Sequence, residues 1–338
     1  MTTTIIVGGF WGDEGKGKII SYIAFTEHPA IIARGGVGTN AGHTVVFEGK
    51  KFGLRMIPSG FTSKKSRLLI GAGVLVDPEI FLKEIKETGC ADRIGIDYQA
   101  GIIESHHKQL DQKDQHLSQK IGSTGTGCGP ANEERAKRML KLAKEIPELK
   151  PYLADVSTEI NEAIEAGKNV LLEGTQGTML SLFHGTYPFV TSKDVSAPQI
   201  CADVGIGPTR VDEVIVVFKA FMTRVGEGPM PGTMSLEEAK KRGWDEYGTV
   251  TGRPRRAAPI DFDIARKAVR LNGATQIALT KLDILFPEIT GATSSKQLSK
   301  EALEFIAKIE KETNIPVTFI GTGPEAEALI DLRKEKLH

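Results

Sequence analysis

The chain has few cysteines, and its charges cancel. Cys90, Cys128 and Cys201 are its only cysteines among 338 residues. They are too few and too scattered for a disulfide framework or a cysteine-based zinc site, which is typical of a protein in a reducing compartment. Lysine plus arginine and aspartate plus glutamate each number 43, so the formal net charge is zero. No overall electric field therefore draws the chain to nucleic acid or anionic lipid.

Long apolar runs are also absent. No apolar stretch approaches the roughly 20 residues that a membrane-spanning helix needs. The first residues lack the charged and apolar regions of a secretory signal peptide. We therefore expect a cytoplasmic protein without a membrane partner. The composition, 40% hydrophobic and 25% charged, is ordinary for a globular protein, and the length permits one large domain or two smaller ones.

Short apolar runs alternate with helical patterns along the chain, which is typical of strands buried on both faces. The predicted strands cover residues 4–7, 30–33, 68–70, 169–172, 213–218, 276–279 and 317–320, and a hairpin is predicted over 43–55. The predicted helices cover residues 19–25, 78–88, 152–166, 262–271 and 299–313. This order predicts an α/β fold with a large, mostly parallel twisted sheet and helices on both faces. Because glycine clusters follow the strands, we expect one domain, residues 1–338, with insertions.

The segment from Gly12 to Lys18, GDEGKGK, follows the first predicted strand. Glycines that let backbone N–H groups approach, a helix N-terminus and lysines together form a phosphate cradle. The spacing matches the first seven positions of the Walker motif, but Ile19 stands where Ser or Thr would hold magnesium. Asp13 inside the loop would repel phosphates unless a metal lies between them or the carboxylate transfers protons. The loop therefore indicates a nucleotide enzyme.

Thr280-Lys281-Leu282-Asp283 follows another strand and resembles the guanine-recognition motif of GTPases. A carboxylate can accept hydrogen bonds from the ring N1–H and the 2-amine of guanine, whereas adenine offers neither at that edge. A TKLD segment can also simply begin a helix. The later segment 321–324, GTGP, could direct backbone N–H groups at the guanine carbonyl. The three segments together predict guanine-nucleotide binding.

Histidines and arginines form the other candidate groups. His43 follows the glycine-rich segment 34–42 and could act as a general acid, or lie incidentally in a surface loop. His106, His107 and His116 occupy a polar stretch that predicts a solvated surface, and we assign them no role. The arginines of segment 252–256 have no aromatic residues between them, which favours a clamp for a small dianion over a nucleic-acid interface. Segment 173–178 could position a ligand through amide and hydroxyl groups.

Taken in order, the motifs closely resemble those of the adenylosuccinate synthetase family, nearly from end to end: WGDEGKGK, NAGHT, IGSTGTGCGP, EGTQGT, HGTYPFVTS, TRVGEGPMPGT, TGRPRR, TKLD and GTGP. The resemblance implies a P-loop-like fold related to GTPases and a homodimer. It implies ligation of L-aspartate to IMP with GTP and magnesium, giving adenylosuccinate, GDP and phosphate.

The resemblance also implies roles for individual residues. Asp13 would take the N1 proton of IMP and ligate magnesium together with the Gly42 carbonyl. His43 would be a general acid, and Lys16 would bridge phosphates. The implied catalytic residues are Asp13, Lys16, His43 and Gln176.

The implied GTP contacts are Gly12, Asp13, Glu14, Gly15, Lys16, Gly17, Lys18, Gly42, His43, Thr44, Arg255, Lys281, Leu282, Asp283, Gly321, Thr322 and Gly323. The implied IMP contacts are Asp13, Glu14, Gly15, Lys16, Asn40, Ala41, Gly42, His43, Thr124, Arg138, Gln176, Thr191 and Arg253, of which Arg138 would reach the site of the neighbouring subunit. The implied aspartate contacts are Thr249, Val250, Thr251, Gly252, Arg253, Pro254 and Arg255.

The chain departs from the family pattern in places. It is shorter than most members, with segments missing between 138 and 169 and after 283. Pro254 interrupts the usual arginine run, and Thr126 and Gly321 stand where Arg and Ser are common. A GTPase switch is the competing interpretation. It would account for the first loop and TKLD, but it needs Ser or Thr at position 19 and leaves NAGHT, EGTQGT and TGRPRR unexplained.

Overall fold

The structure is a computed structural model, and it describes residues 2–248 and 252–337. Sixteen strands are present in these ranges: β1 Thr3–Gly8, β2 Ile31–Arg34, β3 His43–Phe47, β4 Lys50–Leu54, β5 Arg67–Ile70, β6 Leu75–Val76, β7 Ile94–Asp97, β8 Gly101–Ile102, β9 Leu153–Ala154, β10 Val170–Glu173, β11 Glu213–Lys219, β12 Met222–Arg224, β13 Arg256–Ala258, β14 Gln276–Thr280, β15 Val317–Gly321 and β16 Leu329–Asp331. Every predicted strand is confirmed within one or two residues at each end.

Ten of these strands form one sheet in the order β16-β15-β14-β11-β1-β10-β2-β5-β7-β9. All neighbours are parallel except β16, which runs antiparallel to β15 at the edge. The first strand therefore lies inside the sheet, between β10 and β11. The predicted hairpin is the antiparallel pair β3–β4. The predicted α/β class with a large, mostly parallel sheet is confirmed.

Eleven α-helices lie in the described ranges: α1 Lys16–Glu27, α2 Pro78–Thr88, α3 Ser105–Lys113, α4 Cys128–Lys137, α5 Val156–Glu165, α6 Ala197–Val204, α7 Leu236–Lys241, α8 Phe262–Asn272, α9 Leu282–Leu285, α10 Lys300–Thr313 and α11 Arg333–Lys336. A short π-helical segment covers His116–Ile121. None of the helices in the described part of the chain is long and apolar enough to cross a bilayer.

Capping side chains explain several helix boundaries. The Asp77 carboxylate accepts from the backbone N–H of Glu79 at 3.1 Å, and Ser299 accepts from Ala302 at 3.3 Å. Such caps stabilise a helix by about 1 kcal/mol each. The prediction of a helix from residue 152 was wrong at its start, because Asp155 caps the helix through Thr158 and the preceding residues form β9. Helix α1 begins at Lys16, three residues before its predicted start.

The central sheet is covered on both faces. In β1, Ile5 and Val7 belong to one core cluster, and Ile6 between them belongs to the other. In β11, Val214 belongs to the first cluster and Ile215 to the second. Strands covered on both faces have no polar face, which explains their continuous apolar sequences. The prediction of a single domain over 1–338 stays a prediction.

The carboxyl ends of the parallel strands carry the motifs singled out in the sequence. The first glycine loop follows β1, NAGHT comes after β2, and EGTQGT begins at the end of β10. The TKLD and GTGP segments follow β14 and β15. Because these strands are neighbours in the sheet, their loops meet along one edge, where open α/β sheets bind ligands.

Candidate active site

A cleft of about 360 Å³ opens at this edge of the sheet. It is bounded by the loops after β1, β2 and β10 and by the π-helical segment His116–Ile121. Such segments occur often at functional sites. The cleft brings together many residues that the sequence predicted: Gly12, Asp13, Lys16, Asn40, Ala41, Gly42, His43, Thr124, Gln176, Thr191 and Arg253.

Glu14 organises the first glycine loop from within. Its carboxylate accepts from the backbone N–H of Phe10 at 3.0 Å and of Gly12 at 2.8 Å, and it pairs with Lys16 Nζ at 2.9 Å. A Cβ atom on Gly8 would lie 2.3 Å from this carboxylate, so only glycine fits there. Lys16 also donates to the Gln176 carbonyl. The loop is thus held in shape by buried charge, and Glu14 does not line the cleft.

Asp13 lies in the first glycine loop with a positive φ of 60°, a backbone conformation that residues other than glycine rarely adopt. Its side chain is 25% exposed and lines the cleft, and its Oδ2 lies 2.8 Å from Arg255 Nη2. The Gly42 backbone also lines the cleft. Carboxylate and carbonyl oxygens are the ligands that magnesium prefers. The residues proposed to hold a metal therefore fit that ion in type and exposure.

His43 is buried at the start of β3, and it is not in a surface loop. Its Nδ1 is hydrogen-bonded to Glu173 Oε1, which leaves Nε2 buried without a hydrogen-bond partner among the described residues. Burial lowers the pKa of His43, while Glu173 acts in the opposite direction. In the neutral ring the proton lies on Nδ1, where Glu173 accepts it.

Glu173 is a fully buried carboxylate with several partners. Its Oε2 accepts from the Ser59 backbone N–H at 2.7 Å, its Oε1 accepts from the Ser59 hydroxyl at 2.9 Å, and Arg34 Nη1 lies 3.7 Å away. Burial pushes the pKa of Glu173 upward, but His43 and Arg34 outweigh burial and hold the pKa below its usual range. Glu173 is therefore an ionised anchor for His43, a role that the sequence did not reveal.

Glu246 is a second carboxylate that sequence reasoning missed. Its Oε2 lies 2.7 Å from Lys219 Nζ and accepts from Arg255, and its Oε1 lies 3.6 Å from Lys281 Nζ. Although burial acts to raise it, these cations lower the pKa of Glu246 to about 2. Glu246 thus joins the Arg255–Asp13 pair to the TKLD segment. Its position three residues before Thr249, the first of the expected aspartate contacts, is a signal that could have pointed to it.

The TKLD and GTGP segments lie side by side, because β14 and β15 are neighbouring strands. The Thr280 hydroxyl donates to the Glu14 carbonyl at 2.6 Å, which ties TKLD to the first loop. Lys281 has a positive φ of 61°. Burial raises the pKa of Asp283, although Lys281 and Lys18 act to lower it. The three segments predicted to bind guanine nucleotide therefore meet in the structure.

The cleft is also lined by polar side chains expected to contact IMP, among them Asn40, Thr124, Thr191 and Arg253. Asn40 Nδ2 donates to the Thr191 hydroxyl at 3.0 Å, and the Thr124 and Thr126 hydroxyls lie 3.0 Å apart. Arg253 Nη2 donates to the Gly122 carbonyl at 2.8 Å. The cleft can therefore bind a polar ligand through hydroxyl, amide and guanidinium groups.

Other predicted site residues lie elsewhere. Arg138 is exposed at the end of α4, away from the cleft. Lys18 turns its ammonium towards the segment 323–328. The predicted aspartate contacts Thr249, Val250 and Thr251 lie outside the described residues. Gly252 and Pro254 flank Arg253 near the end of this segment, where Pro254 bridges to Tyr247.

The prediction of a solvated surface at His106, His107 and His116 was wrong for His107, which is fully buried, and His116 lines the cleft. His106 and His107 each place Nε2 at 3.0 Å from Glu134. This trio has the composition of a metal cluster. His107 Nδ1, however, accepts from the Glu104 backbone N–H at 2.9 Å. The neutral ring then carries its proton on Nε2, so that nitrogen has no lone pair for a metal.

The adenylosuccinate synthetase family model matches residues 5–145 and 136–288. The adenylosuccinate synthetase of Methanocaldococcus jannaschii is 62% identical over 99% of this chain and 98% of its own length. The enzyme of that name from Archaeoglobus fulgidus is 59% identical over the whole of both chains. The shortness of this chain is therefore shared with these archaeal relatives.

Two solved structures are similar along the chain. The fully ligated adenylosuccinate synthetase of Plasmodium falciparum superposes with a TM-score of 0.89 at 25% identity, covering 98% of this chain and all of its own. The succinoaminodeoxyadenylate synthetase of cyanophage S-2L, bound to dGMP and to dATP as an energy donor, gives 0.80 at 25% identity over 98% and 95% of the two chains. Sequence and fold agree along the whole length, and the chain belongs to the adenylosuccinate synthetase family.

Proposed function

We propose that this protein ligates L-aspartate to IMP at the expense of GTP, giving adenylosuccinate, GDP and phosphate through 6-phosphoryl-IMP. One observation carries this proposal beyond family membership. A carboxylate inside a glycine-rich loop, Asp13, and a buried histidine, His43, line the same cleft. A site that only holds nucleotide has no need of this pair, whereas a site that removes a proton and transfers phosphate requires both.

In the first step, Asp13 takes the N1 proton of IMP, and the electron pair moves to O6. O6 attacks the γ-phosphorus of GTP, the bond to the β-γ bridging oxygen breaks, and GDP leaves. His43 lines the cleft, and when its Nε2 is protonated it would donate to the phosphoryl group. Glu173 stabilises the imidazolium through Nδ1, as a carboxylate orients a catalytic histidine in other enzymes.

In the second step, the uncharged amine of aspartate attacks C6, the bond from C6 to the former O6 breaks, and phosphate departs with that oxygen. The proton that the nitrogen loses leaves with the phosphate. Asn40, Thr124, Gln176 and Thr191 would orient IMP. The segment 249–255 would hold aspartate, with Arg253 placed between the two substrates. Lys281, Asp283 and the segment 321–323 would bind guanine, and Lys16 would bridge phosphates.

Magnesium would be held by the Asp13 carboxylate and the Gly42 carbonyl, where it would neutralise charge on the phosphate oxygens. The protein would act as a cytoplasmic homodimer in which Arg138 reaches the IMP phosphate of the other subunit. The exposure of Arg138, away from its own cleft, supports that arrangement.

The test is substrate dependence. Purified protein is incubated with magnesium and GTP, with IMP and aspartate supplied together, singly or not at all, and products are separated by liquid chromatography. We expect adenylosuccinate, GDP and phosphate in equal amounts, and only when both co-substrates are present. GTP hydrolysis that ignores IMP and aspartate would instead indicate a GTPase switch. Replacing IMP with dGMP and GTP with dATP tests whether this protein accepts the two nucleotides bound in the structure of the cyanophage relative.

A further inference from the structure

Lys18 occupies the Walker lysine position, yet its ammonium lies inside a ring of backbone carbonyls from the C-terminal part of the chain. Lys18 Nζ donates to the carbonyls of Gly323 at 2.6 Å, Glu325 at 2.6 Å and Ala328 at 2.7 Å. An ammonium group has three N–H donors, and all three are used. The side chain is 8% exposed.

The segment that supplies these carbonyls, 321–328, is closed on itself and fixed at its ends. The Thr322 backbone N–H donates to the Ala328 carbonyl at 2.9 Å, and the Thr322 hydroxyl donates to the Ala292 carbonyl at 2.7 Å. A Cβ on Gly321 would lie 3.4 Å from Lys18 Cε, so the lysine stem crosses the end of β15. Lys18 therefore fills the centre of this segment.

Lys18 is a poor phosphate ligand in this arrangement, because moving its ammonium to a phosphate would break three hydrogen bonds. The Gly323 carbonyl would lose its donor among the described residues, and the Glu325 and Ala328 carbonyls would keep only the backbone N–H groups of Ala328 and Thr322. Leaving buried polar groups unsatisfied is costly. Among the charged groups around it, Asp283, Glu325 and Glu327 attract the ammonium and Lys281 repels it. Lys18 thus links the first glycine loop to segment 321–328 by hydrogen bonds and interacts electrostatically with Asp283 and Lys281 of the TKLD segment.

We propose that Lys18 is a positioning residue for base recognition, which holds segment 321–328 so that its backbone N–H groups face the O6 atom of guanine. The proposal rests on the proposed use of GTP. In this proposal the lysine at the Walker position supports recognition of the base and does not bind the phosphates. Two separate groups then recognise guanine. Asp283 reads N1–H and the 2-amine, and the segment fixed by Lys18 reads O6.

The separate contributions of these two groups to binding can be measured by isothermal titration calorimetry with three nucleoside diphosphates. GDP offers O6, N1–H and the 2-amine, IDP lacks only the 2-amine, and ADP lacks all three. In Lys18→Met, which keeps the length of the side chain without its charge, we expect the IDP-to-ADP affinity ratio to fall about tenfold, the equivalent of one hydrogen bond. The GDP-to-IDP ratio should stay unchanged, because Asp283 is intact.

The matched control is Glu325→Gln, which removes a nearby charge and leaves the Glu325 carbonyl in place, so both ratios should stay at their wild-type values. Equal weakening of all three nucleotides in Lys18→Met would identify a phosphate ligand and overturn the proposal. So would a fall confined to the GDP-to-IDP ratio, or no change at all.

A second variant covers the case in which Lys18→Met does not fold. Thr322→Val removes the hydroxyl that ties the same segment to Ala292 and should lower the IDP-to-ADP ratio in the same sense, and unchanged ratios there would contradict the proposal. Because the readout is binding, it is independent of ligation. Wild-type protein that binds GDP selectively but makes no adenylosuccinate would refute the proposed function and leave this test intact.

Discussion

Glu173 shows how a single buried carboxylate can set the protonation of a catalytic side chain. It is the group that opposes the effect of burial on the pKa of His43. Without it, the imidazolium would form only at lower pH. A general acid must be protonated to act, so the decline of kcat with rising pH reports this pKa.

We therefore expect Glu173→Gln to lower kcat by about 10²-fold, at the lower end of the range for general acid–base catalysis. The decline of kcat with rising pH should begin at lower pH than in the wild type, because the pKa of His43 falls further. The control is Ser59→Ala, which removes one hydrogen bond to Glu173 and keeps the carboxylate. A folded Glu173→Gln protein with the wild-type pH profile would contradict the role of Glu173.

Asp283 provides a second prediction at the scale of the residue. Two charge-assisted hydrogen bonds contribute roughly 3–6 kcal/mol, which corresponds to about 10²–10⁴-fold preference for GTP over ATP. In Asp283→Asn, the amide N–H₂ group meets a donor of guanine, and two donors cannot form a hydrogen bond. The same group can donate to the C2 carbonyl of xanthine. Use of GTP should fall steeply while use of XTP rises, with the dependence on IMP and aspartate unchanged.

The comparison is of kcat/KM for GTP, XTP and ATP in wild type and Asp283→Asn. Since Asp283 lies near Lys18 and Lys281, Lys18→Met disturbs the same site without changing the carboxylate. Both variants should discriminate less against ATP, but use of XTP should rise only in Asp283→Asn. An undiminished GTP preference in Asp283→Asn would mean that another group reads the base.

At the scale of the element, the two ends of segment 246–255 form a stem, in which backbone and side-chain contacts join one end to the other. The Arg255 backbone N–H donates to the Glu246 carbonyl and the Gly248 N–H donates to the Arg253 carbonyl, both at 2.9 Å. The Glu246 side chain adds its ion pairs to Lys219 and Arg255 at the same place. The expected aspartate-binding segment therefore projects from a fixed base.

We expect Glu246→Gln to raise KM for aspartate about tenfold or more, because a charge-assisted hydrogen bond contributes roughly 1.5–3 kcal/mol to holding the stem. It should also lower the free energy of unfolding by about 3–5 kcal/mol, since buried Lys219 loses its counter-charge. Steady-state kinetics and urea unfolding measure the two effects. Asp245→Asn, a neighbouring change of the same kind, should alter neither. If KM for aspartate stayed constant while stability fell, Glu246 would be structural only.

Sequence and structure agree where the deciding interactions are local. Apolar runs predicted the strands, and capping residues such as Asp77 and Ser299 set helix starts that the pattern located within a residue. The glycine loops were also recognisable, because phosphate cradles have a local signature. Their meeting along one edge followed from the parallel sheet.

Contacts between segments that are far apart in the chain could not be predicted from the sequence. Glu173 meets His43 from another strand, and Glu246 meets Lys219 and Lys281 only once the sheet is assembled. His107 lies in a polar stretch and was assigned to the surface, but Glu104 and Glu134 satisfy it in the interior. The direction of the Lys18 side chain depends on a loop that follows β15, near the other end of the chain.

At the scale of the whole molecule, the shared site predicted for Arg138 can be tested by mixing subunits. Asp13→Asn and Arg138→Ala should each be inactive alone. After subunit exchange, about a quarter of wild-type activity should return, because half of randomly paired symmetric dimers are hybrids with one intact site out of two.

Subunit exchange is verified by native mass spectrometry with one variant isotopically labelled, and each variant mixed with itself serves as the control. If hybrids form but remain inactive, Arg138 acts within its own subunit or not at all.

The order of the strands has a consequence for how the protein is made. Thr3 in β1 pairs with Val170 in β10, and β11 on its other side is made later still. Strand β1 emerges from the ribosome before both of its partners, and the nearer of them, β10, follows after roughly 170 further residues, or about 10–30 s at ordinary rates of synthesis. The block β2-β5-β7-β9 is complete before then. A nascent chain therefore carries its future central strand, and the nucleotide loop attached to it, without either neighbouring strand until β10 has been made.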